Sequence, residues 1–121
     1  MDSEQAIKET IQAYCDGLYE SDSQKIYQTF HPNAKVTGYF QGELAEFTVE
    51  NLAEMVDKQT PSDAAQDLPK LCEIVSLSQA GQTAAAVVRD RFMGVTFLDT
   101  LSLLKVGDNW VIYNKLFHVE A

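Results

Sequence analysis

One stretch of this sequence decides the fold, namely Phe97-Leu98-Asp99-Thr100-Leu101-Ser102-Leu103-Leu104-Lys105. Successive side chains of a β-strand point to opposite faces of the sheet, so Phe97, Asp99, Leu101 and Leu103 share one face. That face is apolar except for the carboxyl of Asp99, and burial disfavours the charged form of a carboxyl group. The stretch therefore predicts a strand with one buried face and an acidic group within it.

Extended periodicity continues on both sides of this stretch. The pattern predicts strands near 71–79, 83–93, 95–106 and 110–119, and a further strand over 34–40. Compact turns with Gly81, Gly94 and Gly107 separate the last four strands, and they are short enough for hairpins. We expect these four strands to form an antiparallel meander.

Helical periodicity occupies the first half of the chain. Apolar residues spaced as one helix face predict a helix over 3–19, a short second helix around Ile26 that Pro32 closes, and a third that Thr48 caps. Helices that come first and strands that come last are typical of α+β architecture. The predicted fold has three N-terminal helices packed on a curved, mainly antiparallel sheet.

Composition limits the possible classes of partner. The 121 residues, 45% of them hydrophobic, suffice for a single domain over 1–121. A net charge of −9 repels phosphate backbones and acidic membrane surfaces, so we expect no nucleic-acid partner and no membrane association. The sequence starts without a basic and apolar leader and has no long apolar run, which leads us to expect a cytoplasmic protein.

The two cysteines, Cys15 and Cys72, lie in no Cys-x-x-Cys pair. We expect both to be reduced and in or beside the core, with a disulfide as the alternative. The sequence contains no histidine and acid cluster at metal-ligand spacing, no Gly-x-Gly-x-x-Gly and no Walker sequence. No metal and no cofactor are therefore predicted.

Two blocks of sequence resemble a known family. The first runs from Ile11 to Asp22 and on through Phe30-His31-Pro32-Asn33-Ala34-Lys35-Val36, and the second is the stretch from Phe97 to Lys105 followed by Trp110-Val111-Ile112 and Lys115-Leu116-Phe117-His118. Together they resemble the nuclear transport factor 2-like superfamily, and the second block is similar to its SnoaL-like, "putative lumazine-binding" branch. The resemblance implies a cystatin-like cone, a pocket between sheet and helices, and a homodimer formed through the outer face of the sheet. It does not imply one activity, because the superfamily contains both enzymes and binding proteins.

The resemblance extends to ketosteroid isomerase, whose mechanism needs a carboxylate base and two hydrogen-bond donors to an enolate. It implies that Tyr14 and Asp99 occupy the two donor positions and that Gly38 occupies the position of the base. Glycine cannot accept a proton. Glu43 or Glu46 could supply a base from further along the chain, but a solvent-exposed carboxylate is the plainer interpretation of both.

Several candidate residues have two interpretations. Asp99 can be a neutral donor in the pocket or the partner of Arg89 or Arg91 in an ion pair between strands. Arg91 itself can point into the pocket or toward solvent. His31 can act as an acid or base or can cap the end of the second helix.

The position of Asn114 depends on the last turn. A two-residue turn at Gly107-Asp108 pairs Leu103 with Ile112 and Leu101 with Asn114. Asn114 then shares the face of Asp99 and becomes a polar group of the pocket. A longer turn reverses this assignment.

The leading hypothesis for function is a small-molecule-binding protein that holds a hydrophobic or heteroaromatic ligand within the cone. The predicted ligand-binding residues are Tyr14, Phe30, Phe47, Met55, Arg91, Phe97, Asp99 and Asn114. The alternative is an isomerase, dehydratase or polyketide-cyclase-like enzyme in which Tyr14 and Asp99 stabilise an enolate and His31 or a glutamate is the base. A third hypothesis is a dimerisation module whose cavity is filled by its own side chains.

Overall fold

A computed structural model describes residues 2–120. The elements, in chain order, are α1 (Ser3–Glu20), α2 (Ser23–Thr29), β1 (Phe30–Phe40), β2 (Glu43–Thr48), α3 (Val49–Lys58), β3 (Cys72–Ala80), β4 (Thr83–Phe92), β5 (Val95–Val106) and β6 (Asn109–Val119). The helices pack against a curved six-stranded sheet. The predicted α+β class and the three N-terminal helices are confirmed.

The helix boundaries follow from capping side chains. The Asp2 carboxylate accepts a hydrogen bond from the Gln5 amide at 2.8 Å and begins α1. Thr48 and Asn51 form a reciprocal capping box at the start of α3, as Thr48 predicts. The second helix ends at Thr29, before the predicted stop at Pro32, because β1 already begins at Phe30.

The sheet has the strand order β2-β1-β6-β5-β4-β3. The strands β3 to β6 form the predicted antiparallel meander, whereas β1 joins β6 in parallel. The edge strand β2 was not predicted. Its sequence Glu43–Thr48 is short and mostly exposed, so it lacks the apolar run that marks a buried strand.

A β-bulge in β6 changes which side chains face the concave side of the sheet. Leu103 pairs with Ile112, as the two-residue turn predicts, but Ser102 pairs with Asn114 and Leu101 with Lys115. Tyr113 is the extra residue, and it reverses the alternation of the strand beyond it. The predicted pairing of Leu101 with Asn114 is therefore wrong, and Lys115 takes the inward position.

Cys15 and Cys72 form a disulfide, with 6.0 Å between their Cα atoms. The prediction of two reduced cysteines is wrong, because the fold brings the buried face of α1 against the start of β3. Fifty-seven positions separate the two residues, and nothing in their local sequence indicates this contact.

None of the helices within residues 2–120 combines the length and the apolarity that crossing a bilayer requires.

Candidate functional site

A cavity of about 370 Å³ lies between the concave face of the sheet and the helices α1 and α3. Its lining residues are Leu18, Val36, Phe40, Gln41, Glu43, Leu44, Ala45, Phe47, Leu52, Met55, Phe92, Met93, Phe97, Lys115 and Phe117. Phe40, Leu44 and Met93 are partly exposed and mark the mouth, at the β1–β2 and β4–β5 turns. The volume and the apolar wall fit a small organic molecule.

Three aromatic rings form one wall of this cavity. The ring of Phe117 lies edge-on to Phe97, with 5.9 Å between centroids, and is stacked with Phe47 at 6.5 Å. Such offset and edge-to-face arrangements stabilise aromatic clusters.

Lys115 provides the positively charged group of the cavity. The residue is 5% exposed, and its Nζ lies 5.9 Å from the centroid of the Phe97 ring. The Phe97 wall thus supports a cation–π contact with the ammonium group. A lysine this deeply buried requires a nearby partner for its charge.

Tyr14 and Asp99 supply that partner from behind the cavity wall. The Lys115 ammonium donates a hydrogen bond to the Tyr14 hydroxyl at 2.6 Å, and the hydroxyl donates in turn to Asp99 Oδ2 at 2.8 Å. Lys115 Nζ and Asp99 Oδ2 are 3.8 Å apart. These three groups form a continuous chain of donors and acceptors that starts at the cavity.

Asp90 extends this chain deeper into the protein. It lies on β4 diagonally across from Asp99, on the same buried face. Neither of its carboxylate oxygens, nor Asp99 Oδ1, has a hydrogen-bond donor within residues 2–120. A proton on Asp90 would let its carboxyl group donate to Asp99 Oδ1 and satisfy atoms on both residues.

The electrostatics of the cluster favour that proton. Burial raises the pKa of Asp90 well above the ordinary carboxyl value, and the neighbouring carboxyl of Asp99 raises it further, against the opposing effects of Lys115 and Tyr14. Burial likewise raises the pKa of Tyr14, and the nearby carboxyls of Asp90 and Asp99 add to the shift. Tyr14 therefore stays a neutral hydroxyl that can both donate and accept.

Of the predicted ligand-binding residues, Phe47, Met55 and Phe97 line the cavity. Tyr14 and Asp99 converge as neighbours but do not belong to the lining, since Lys115 stands between them and the cavity. Phe30 packs edge-on against the Tyr14 ring at 5.5 Å and supports it from the core side.

Three predicted residues lie elsewhere. Arg91 Nη1 donates to the Pro69 carbonyl oxygen at 3.4 Å. Asn114 pairs with Ser102 beside the bulge, away from the lining residues. The Nδ1 atom of His31 accepts from the Asn33 amide at 3.0 Å and the ring packs on Tyr113, so His31 is in β1 and not at a helix end.

The alternative ion pair between Asp99 and an arginine of β4 is wrong. Arg89 binds Glu73 and Glu120, both at 2.7 Å, on the outer side of the sheet. β4 presents Val88 and Asp90 to the inner face, so its arginines point away from Asp99.

Neither of the two candidate carboxylate bases is buried in the cavity. Glu43 and Glu46 lie on β2 rather than in a loop, both exposed, and only Glu43 contributes to the cavity lining. Gly38 is buried beneath Phe117, whose ring and carbonyl oxygen occupy the space that a side chain would need.

Two buried groups of the site were missed in the sequence. The regular alternation that places Asn114 inward would point Lys115 outward, because the bulge is not visible in the sequence. Asp90 carried a usable signal, since Ala84, Ala86 and Val88 precede it at alternate inward positions. A charged residue in such a series is predicted to be buried, as Asp99 is. Within residues 2–120, no cluster of three or more metal-binding side chains occurs.

Comparison with solved structures identifies the fold. The chain is similar to an NTF2-like protein of unknown function from Silicibacter pomeroyi DSS-3, with 22% identity, a TM-score of 0.89 and coverage of 99% of this chain and 100% of the other. A second such protein, from Shewanella baltica OS155, gives 23% identity and a TM-score of 0.84, with 100% and 98% coverage. The nuclear transport factor 2-like fold predicted from the sequence is confirmed.

Comparison by sequence gives two further results. The chain is 21% identical to "Aldolase FrzH" from Cladobotryum sp. over 113 residues, which are 93% of this chain and 88% of the relative. The model of the family described as "Putative lumazine-binding" matches residues 2–118, which confirms the predicted branch. This chain therefore belongs to the "Putative lumazine-binding" family and has a nuclear transport factor 2-like fold.

Proposed function

We propose that this protein binds a small, planar, largely apolar or heteroaromatic molecule in the cavity between the sheet and α3. The observation that carries the proposal is the combination of a cavity of about 370 Å³, a wall of three phenylalanine rings and one buried ammonium group. The space is not filled by the protein's own side chains, which favours a binding protein over a dimerisation module with a closed core. The family description supports the same class of ligand.

The lining indicates what such a ligand must carry. Flat faces would stack on Phe97 and Phe117, and an acceptor such as a ring nitrogen or carbonyl oxygen would bind the Lys115 ammonium. One N–H of that ammonium is engaged by Tyr14, which leaves donors available for the ligand. An acceptor placed there replaces water around a buried charge.

The proposal is tested with lumazine, a planar bicyclic heteroaromatic compound, by isothermal titration calorimetry. Ala45 lies on the cavity wall near its mouth, so Ala45→Trp should fill the cavity and abolish binding. Ala80→Trp, at the exposed end of β3, is the matched control and should bind as the native protein does. An equal loss of lumazine affinity in both variants would contradict binding in this cavity. Lumazine binding that survives Ala45→Trp would contradict it as well.

A second candidate is an enzyme that acts on a carbonyl compound. It is favoured by the hydrogen-bonded chain from Lys115 through Tyr14 to Asp99, and by the similarity to a protein named as an aldolase. In such an enzyme Lys115 would contact the enolate or carbonyl oxygen. Tyr14 and Asp99 would act indirectly, through Lys115, since Tyr14 already donates its proton to Asp99. Turnover assays with simple aldehydes and ketones, compared between the native protein and Asp99→Asn, test it.

We also propose that a second copy of the chain covers the outer face of the sheet. Tyr39, Tyr113 and Leu116 are exposed there on the adjacent strands β1 and β6, and a shared apolar face of this kind is typical of protein interfaces. Light scattering after size exclusion should give a dimer for the native protein and a monomer for Leu116→Glu. A native monomer would contradict this assembly.

A further inference from the structure

Lys115 differs from the other lysines of the described chain in its surroundings. Its Nζ contacts Tyr14 and the Phe97 ring in the wall of an apolar cavity, and its side chain is almost fully buried. Lys58, by comparison, lies exposed in the last turn of α3. A lysine amine held in an apolar pocket is the usual arrangement for covalent capture of a carbonyl group.

A neutral amine is needed for that capture, and the structure contains a route to it. The Lys115 ammonium donates to the Tyr14 oxygen, and the Tyr14 hydroxyl donates to Asp99 Oδ2. If Lys115 passes one proton to the Tyr14 oxygen while Tyr14 passes its own proton to Asp99, the ammonium becomes an amine and the carboxylate becomes a carboxyl group. Tyr14 ends unchanged, and no bulk water takes part.

The acidic end of this route is fully enclosed. Asp99 and Asp90 are 0% and 1% exposed, and Asp99 Oδ1 has no hydrogen-bond partner within residues 2–120. A proton on Asp90, its diagonal neighbour, would supply a donor. Such a donor would fix the orientation of the Asp99 carboxylate and keep Oδ2 aimed at Tyr14. Asp90 is thus a positioning residue, whereas Tyr14 touches the reacting nitrogen.

We propose that Lys115 forms an imine with the carbonyl group of a ketone or aldehyde bound in the cavity, and that Tyr14 and Asp99 carry the protons of this step. The proposal deepens the proposed function, because the carbonyl compound must first enter the same cavity.

Imine formation at Lys115 conserves atoms and charge. The nitrogen lone pair bonds to the carbonyl carbon, the carbonyl π electrons move to oxygen, and one N–H proton transfers to that oxygen to give a carbinolamine. The proton stored on Asp99 returns through Tyr14 to the hydroxyl group, the C–O bond breaks and water leaves. The nitrogen lone pair closes the C=N bond, and the iminium ion faces the restored Asp99 carboxylate.

The test uses a matched pair of probes on the intact, disulfide-bonded protein. The ketone 4-phenylbutan-2-one can form the imine, and 4-phenylbutan-2-ol has nearly the same shape but cannot. Incubation with the ketone and sodium cyanoborohydride converts any imine into a stable secondary amine, which intact mass and peptide mapping detect. Calorimetry with the alcohol measures occupation of the cavity without covalent chemistry.

We expect modification at Lys115 about tenfold faster, or more, than at Lys58. Lys115→Met should lose this modification, and Lys58→Met should retain it. Tyr14→Phe should slow it about tenfold or more, because the proton route is broken, while affinity for the alcohol is unchanged. Asp90→Asn should slow it less than Tyr14→Phe does.

The outcomes separate the two proposals. If the alcohol binds but the ketone modifies Lys115 no faster than Lys58, imine formation is wrong and binding in the cavity stands. If Tyr14→Phe lowers the trapping rate and the affinity for the alcohol equally, Tyr14 has only a structural role and the proton route is wrong. If the alcohol does not bind and the ketone does not modify Lys115, both proposals are contradicted.

Discussion

The backbone carbonyl oxygen of Phe117 lies 2.3 Å from the point that a Cβ atom on Gly38 would occupy, and two atoms of the Phe117 ring lie at 2.7 Å. The two residues are partners across the parallel β1–β6 pair. Gly38 therefore does more than lack the carboxylate that a proton-abstracting enzyme places there. The space for that carboxylate is taken by the neighbouring strand and by an aromatic ring of the cavity.

The contact predicts that Gly38→Ala destabilises the protein by about 2 kcal/mol or more, since overpacking at a rigid position forces backbone shifts. The free energy of unfolding, measured with urea, checks the effect. Removing the aromatic ring with Phe117→Ala should not restore the stability of Gly38→Ala, because the Phe117 carbonyl oxygen remains. If Gly38→Ala has no cost in a Phe117→Ala background, the ring alone sets the constraint.

Lys115 and Asp99 should be strongly coupled in stability. Lys115→Met leaves the Asp99 charge buried without its cation, which should cost about 3 kcal/mol of unfolding free energy at neutral pH. Asp99→Asn should cost a similar amount, and the double variant should lose clearly less than the sum. Lys58→Met, on an exposed helix surface, should change stability by about 0.5 kcal/mol or less. Additive losses would show that the pair is not coupled.

Asp90 predicts a particular dependence of stability on pH. The pKa of Asp90 is raised in the folded protein, so above the ordinary carboxyl pKa, about 3.9, the folded state holds a proton that the unfolded chain has lost. Unfolding then releases a proton, and stability falls with rising pH, by up to about 1.4 kcal/mol per pH unit, until the folded pKa is passed.

Asp90→Asn should remove this slope, because its amide is neutral throughout and can donate to Asp99 Oδ1. Urea unfolding of the native protein and of Asp90→Asn over a pH series measures the difference between their profiles. Asp57→Asn, at an exposed position of α3, should keep the native slope. Parallel profiles for the native protein and Asp90→Asn would rule out a proton held on Asp90.

The disulfide predicts a large effect of reductant. Cross-linking residues 57 positions apart removes loop entropy from the unfolded chain that is equivalent to about 4 kcal/mol. The native protein should therefore unfold at a lower urea concentration in dithiothreitol, whereas Cys15→Ala/Cys72→Ala should be indifferent to it. A native midpoint that reductant does not move would contradict the prediction.

The parts of the fold that local sequence determines could be predicted. Asp2 and Thr48 cap their helices as side-chain chemistry requires, and the alternation in β5 identifies Asp99 as a buried carboxyl. Both depend on residues a few positions apart. The edge strand β2 was missed because its neighbours, not its own composition, hold it in the sheet.

The parts that depend on distant contacts could not be predicted. The approach of Cys72 to Cys15 and of Asp90 to Asp99 depends on how β3, β4 and β5 align against α1. The inward position of Lys115 depends on Tyr113, which has no partner on β5. Regular pairing would place Asn114 inward and Lys115 outward, and the bulge alone exchanges them.

The bulge at Tyr113 also bears on how relatives of this chain are compared. In a homologue of equal strand length but regular pairing, the residue aligned with Asn114 would face the cavity, and those aligned with Lys115 and Phe117 would face outward. Two proteins could then share a lysine in an alignment and still present opposite chemistry to their ligands. An insertion or deletion in the last strand would thus exchange the inward and outward side chains of every residue beyond it.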